Sequence, residues 1–219
     1  MDIGQKVRSN YRNFRTHLHR AVVRPDPYGI PGWIIDSDQL ALALVDTFGK
    51  DFRSMIDMAF EHNVEMGVFI CYDIDEDSLK LGPVCFGRQQ LVIIKDCIGY
   101  RPVGSFHVHL GLFRKVAFSP PDIQGGLHEF VLAVAGNIRD SISYEMAILS
   151  PYNYWKLADP ARDAVDYHLN AATSDILLAN VFYREQPEGW QINVSELDKK
   201  ANAHMEEVFR MLKMVYAQL

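Results

Sequence analysis

The chain has 219 residues, 48% hydrophobic and 23% charged, which excludes the disordered, collagen-like and low-complexity classes. Twenty-two basic against 28 acidic residues give a formal net charge of −6, which argues against a general binder of nucleic-acid phosphates. No run approaches the ~18 apolar residues of a membrane span, and the charged stretch from Met1 to Arg20 lacks the apolar segment of a secretory signal.

The first sixty residues read as mostly helical. An irregular connection rich in proline and glycine (Pro25, Pro27, Gly29, Pro31, Gly32) precedes a helix capped by Asp36 or Ser37, carrying Leu40, Leu44 and Phe48 and ended by Gly49. A second helical stripe follows at Phe52, Met55, Ile56, Ala59 and Phe60. From Glu65 the period changes, and short strands are expected at Gly67–Tyr72, Val84–Phe86, Leu91–Ile94 and Val103–Leu110. Asp73, Asp75 and Asp77 lie in a turn between them. Ser78 and Val84, where a calcium loop would carry Gly and Glu, rule that loop out.

A helix should open at Ser119 with Pro120 in its first position, bury Ile123, Leu127, Phe130 and Val134, and stop near Gly136. Then come a strand at Ser143–Leu149, a helix at Pro160–Leu169 and a hairpin of Asp175–Tyr183 against Trp190–Val194. Ser195 and Asp198 cap a last helix whose stripe runs Leu197, Ala201, Met205, Val208, Leu212, Val215 and Leu219. The expected fold is α+β and three-layer-like, a small mixed or antiparallel sheet packed by helices. It divides into a helical extension over 1–63, a core over 64–194 and a C-terminal helix over 195–219. The cysteines (Cys71, Cys85, Cys97) form no Cys-x-x-Cys motif, so reduced thiols in a cytoplasmic protein are the simplest expectation.

The segment Gly104-Ser-Phe-His-Val-His-Leu110 carries the chemistry. On a strand, His107 and His109 share one face, while Phe106, Val108 and Leu110 turn to the other. Two imidazoles so placed can reach one metal ion at ~2.0–2.1 Å. Asp122, at the start of the next helix, can supply a third donor and leave a fourth position open, the arrangement of a catalytic zinc. Glu65, at the entry to the first strand, is placed to act as a base if that strand neighbours the His-x-His strand, and the Ser119 hydroxyl can steady an oxyanion. The ordinary reading stands beside this one. Ser119-Pro-Pro-Asp122 is also a plain helix-capping sequence, and a second His-x-His, His17-Leu-His19, sits in a helical stretch where the two side chains diverge.

Glu65-x-Gly67, then His107-x-His109, then Ser119-x-x-Asp122 together resemble the JAMM (MPN+, JAB) metalloproteases, over about Glu65 to Leu149. The resemblance implies a zinc-dependent isopeptidase or peptidase with His107, His109 and Asp122 as ligands, Glu65 as general acid and base, and Ser119 as oxyanion helper. It implies a protein or peptide substrate, a ubiquitin-like or sulfur-carrier-like protein cut at its carboxyl end, with neither nucleic acid nor membrane as partner. A non-catalytic scaffold on the same fold is the alternative. The chain departs from the family in having Leu110 where proline usually follows the second His, and in a longer loop, Gly111–Phe118, which bears Arg114 and Lys115.

Overall fold

The apolar stripes predicted on either side of Gly49 belong to one helix. In a computed structural model that describes Arg12, Thr16 and residues 37–88, 91–110, 118–128, 132–138, 144–185 and 193–219, α1 runs unbroken over Ser37–His62. Gly49 therefore does not end a helix. A Cβ added there would make only ordinary contacts with Val45 and Leu219, so the site tolerates helix on both sides. Leu44, Phe48, Phe52, Met55, Ile56 and Ala59 are buried, whereas Phe60, expected on the same stripe, is 38% exposed. Full burial of each large side chain on this stripe is worth about 1.5–3 kcal/mol.

That face lies on a seven-stranded sheet. Its strands are β1 (Met66–Asp73), β2 (Ser78–Leu81), β3 (Cys85–Phe86), β4 (Arg101–Val108), β5 (Leu132–Ile138), β6 (Tyr144–Leu149) and β7 (Val215–Gln218). The order is β2-β1-β4-β5-β6-β7, with β3 also pairing β1. All pairs are antiparallel except β4 with β5, which run parallel. The parallel pair needs a crossover, and α2 (Pro120–His128) lies within it.

Side-chain alternation divides the interior in two. Met66, Val68, Ile70 and Tyr72 of β1, Phe106 and Val108 of β4, and Met146 and Ile148 of β6 join α1 in one core. Phe52 of α1 stacks on Phe106 with ring centroids 4.0 Å apart. The opposite parity of β6, Ala147 and Leu149, faces a second core made with α2, α3 (Pro151–Trp155), α4 (Asp159–Glu185) and α5 (Val194–Met211). The fold is α+β, a mixed sheet between α1 and the remaining helices.

Several expectations are corrected. Leu91–Ile94 forms no strand, only a bridge between Arg88 and Leu91. The helix from Ser119 ends at His128, and Val134 and Gly136 lie in β5, where the gap between β4 and β6 offers hydrogen-bonded partners on both edges. The hairpin over 175–183 is instead the second half of α4. Val165, Leu169, Ala172 and Ala179 keep helical spacing through it, and the aliphatic run Ile176–Leu178 disguises that period. The other arm, Trp190–Gln191–Ile192, lies outside the described residues.

The last helix stops at Met211, with Leu212 as its C-cap and Lys213 turning at a φ of 50°. Val215 then opens β7, the sheet's edge, and both Val215 and Leu219 pack on the first core. Asn193, not Ser195 or Asp198, holds the N-cap position. Thus α1 and β7 both contribute to the first core.

The thiols are also corrected. Cys71 on β1 and Cys97 in the segment before β4 form a disulfide with Cα atoms 5.9 Å apart, leaving Cys85 as the buried free thiol. Antiparallel pairing of β1 with β4 folds the chain back so that residues 26 apart in sequence meet. A lasting disulfide needs oxidising surroundings, which removes the ground on which a cytoplasmic location was expected. Among the described residues no helix is long and apolar enough to cross a membrane.

Candidate metal centre

The site forms where β4 ends and α2 begins. Phe106 and Val108 are committed to the α1 core, so His107 and His109 project on the other face. His107 is buried, and its ring lies 6.3 Å from that of the fully buried Phe118. Phe118 precedes the helix cap and Ile123 falls in the first turn. Both are buried in the second core, an apolar staple that sets the angle at which α2 leaves the site.

The cap fixes the carboxylate. Asp122 Oδ2 accepts the Ser119 backbone N–H at 2.8 Å and the Ser119 Oγ–H at 2.6 Å. The same oxygen lies 3.5 Å from His107 Nε2 and 3.3 Å from His109 Nε2. The capping reading and the ligand reading of Ser119-Pro-Pro-Asp122 therefore describe one geometry, because the cap aims the carboxylate at the imidazoles.

These three residues could hold a metal ion. Their donor atoms all lie within 4.8 Å of one another, and among the described residues no other group of three such side chains does this. A tetrahedral ion with bonds of ~2.0–2.1 Å separates its ligand atoms by roughly 3.3 Å. The two carboxylate–imidazole edges already match. The two Nε2 atoms, 2.6 Å apart, share a hydrogen bond and must open by several tenths of an ångström. Two imidazoles and one carboxylate suit a borderline divalent ion.

Glu65 stands one residue before β1, in the same parity as Gly67, whose register partner is His107. Its backbone is pinned on both sides: the Glu65 N–H donates to Arg88 O and its carbonyl accepts from Gly87 N–H, both at 2.8 Å. Burial raises its carboxyl above the usual glutamate range, His109 pulls it down and Asp122 pushes it up, with a net upward result. Burial acts upward on Asp122 too, but hydrogen bonding and charge from His107 and His109 outweigh it and hold that carboxyl well below the usual range. The two carboxyls are thus shifted in opposite directions from their usual ranges.

No protein-family model and no curated protein matches this sequence.

Leu110, where the resembled family carries proline, packs against the first core. The departure therefore sits on the face turned away from the imidazoles. Gly111–Ala117, including Arg114 and Lys115, lie outside the described residues, as do the His128 side chain and His17-Leu-His19. Sequence reasoning missed the packing around Gly67, where a Cβ would come within 2.7 Å of Ile94 Cγ1. The glycine in Glu65-x-Gly67 was the available signal: a side chain there would displace Ile94 from beside the His107 register position.

Proposed function

We propose that the protein is a zinc-dependent hydrolase of amide bonds, a JAMM-type peptidase or isopeptidase whose substrate is a protein or peptide, with a ubiquitin-like or sulfur-carrier-like carboxyl end as the leading candidate. The observation that carries this reading is the convergence of His107, His109 and Asp122 next to Glu65, a half-buried glutamate held above its usual proton affinity. When bound, zinc supplies a Lewis acid that polarises the scissile carbonyl and brings the pKa of water toward ~7.

Glu65 takes a proton from the attacking water, and its raised proton affinity suits it to hold that proton until the amine leaves. His107, His109 and Asp122 hold the metal. Ser119 orients Asp122 through two hydrogen bonds, and its hydroxyl, by turning from Asp122 Oδ2, can donate to the oxyanion. The Cys71–Cys97 bond favours an oxidising location over a cytoplasmic one for this activity.

The test is cleavage of a ubiquitin-like protein fused through its carboxyl end to a reporter, with the zinc-loaded protein and its Glu65→Gln variant. The variant should retain zinc and lose about 10²–10⁴-fold in turnover. Undiminished cleavage by Glu65→Gln, or no cleavage of any amide by the zinc-loaded wild type, would refute the proposal. The second of these outcomes would leave a scaffold as the reading.

A further inference from the structure

A second pair of imidazoles converges where α4 packs on α5. His168 on α4 and His204 on α5 face each other with Nδ1 atoms 2.8 Å apart. We propose that this pair is a second, independent metal site, a two-histidine clamp across α4 and α5 for a late first-row divalent ion of the nickel or copper type.

The helices hold the pair in place from within. Leu169, next to His168, and Met205, next to His204, are both buried in the second core, so the two backbones cannot drift apart without opening that core. The Tyr167 ring meets both imidazoles edge-on, at centroid distances of 5.3 and 6.0 Å, and restricts their rotation. Two nitrogen donors in adjacent positions of a square-planar or octahedral ion, each bonded at about 2.0 Å, stand about 2.8 Å apart. The two Nδ1 atoms share a hydrogen bond at 2.8 Å, so exchanging that bond for an ion needs little movement of either ring. Imidazole nitrogen donors and the affinity order of the first-row divalent ions favour Cu²⁺ or Ni²⁺.

The nearest charges form an ion pair. Glu207 lies one turn beyond His204, and its carboxylate is gripped by Arg210, whose Nε donates to Oε2 at 2.9 Å. That ion pair is the main reason the Glu207 carboxyl stays below its usual range, and His168 adds a smaller pull in the same direction. Glu207 is thus a carboxylate neighbour of the pair whose charge Arg210 balances, and water fills the remaining coordination positions.

The test uses the full-length chain carrying His107→Ala, so that the first site does not contribute, and Ni²⁺ alone as probe. Equilibrium dialysis should find about one Ni²⁺ per chain above what the His168→Ala and His204→Ala derivatives retain, with affinity falling more than about tenfold in either. Ni²⁺ should also raise the melting temperature of the parent and not of the derivatives. His168→Gln, with circular dichroism as the control, separates lost binding from lost folding. Equal Ni²⁺ uptake in parent and derivatives, or no thermal response in any of them, would overturn the clamp and leave the imidazoles as a hydrogen-bonded pair. Neither result bears on zinc at His107 and His109.

Discussion

Asp122 does two jobs with one oxygen. It accepts both hydrogen bonds from Ser119 that start α2, and it faces both imidazoles. The two jobs are separable by substitution. Asp122→Asn keeps an oxygen for the cap but is a poor ligand, so metal affinity should fall sharply while stability falls by about 1 kcal/mol or less. Metal titration and chemical denaturation of the same sample would show the split, and parallel loss in both would mean that the residue only caps the helix. The site was legible at this scale because each residue type carries its chemistry locally. Strand alternation put His107 and His109 on one face, and the spacing Ser119-x-x-Asp122 put an acid at the helix start. The proximity of Glu65 to them was not legible, because it depends on β1 pairing β4 with Gly67 opposite His107, a contact forty residues apart in sequence.

Among elements, the strongest sequence signals survived and the weak ones failed for identifiable reasons. The stripe from Leu44 to Ala59 has the expected burial, but Gly49 in its middle does not stop the helix, because a lone glycine weakens a helix without ending one that is packed along its length. It follows that Gly49→Ala should stabilise the protein by about 0.5–1 kcal/mol, since the added methyl meets Val45 and Leu219 at ordinary contact distances of 3.7 and 4.0 Å. A lower denaturation midpoint for this variant would show that the helix does not continue through residue 49. The strand β5 was hidden for a different reason. Leu132–Ile138 has no period of its own that opposes a helix, and it becomes a strand because β4 and β6 present free edges on either side. The same tertiary control turns Val215–Gln218 into β7, although the helical stripe of α5 points straight through it.

For the whole molecule, one sheet separates two cores, and the candidate metal centre sits on the side of the second. The Cys71–Cys97 bond ties β1 to the segment whose Ile94 side chain covers Gly67, so the covalent link and the site share a strand. Closing 26 residues, this bond should contribute about 2–4 kcal/mol. Cys97→Ser should lower the stability of the chain by that amount, and thiol titration of the denatured wild type should find one thiol before reduction and three after it. Three thiols before reduction would contradict the pairing. Cysteine spacing could not foretell this bond, because no short motif links the two residues and only the sheet brings them together.

Elemental analysis of the purified wild type beside His107→Ala asks whether His107, His109 and Asp122 hold a metal ion. About one zinc per chain is expected in the wild type, and its loss in the variant. A wild type that carries no metal and takes up none when zinc is added, or a His107→Ala protein that keeps its full zinc content, would contradict it.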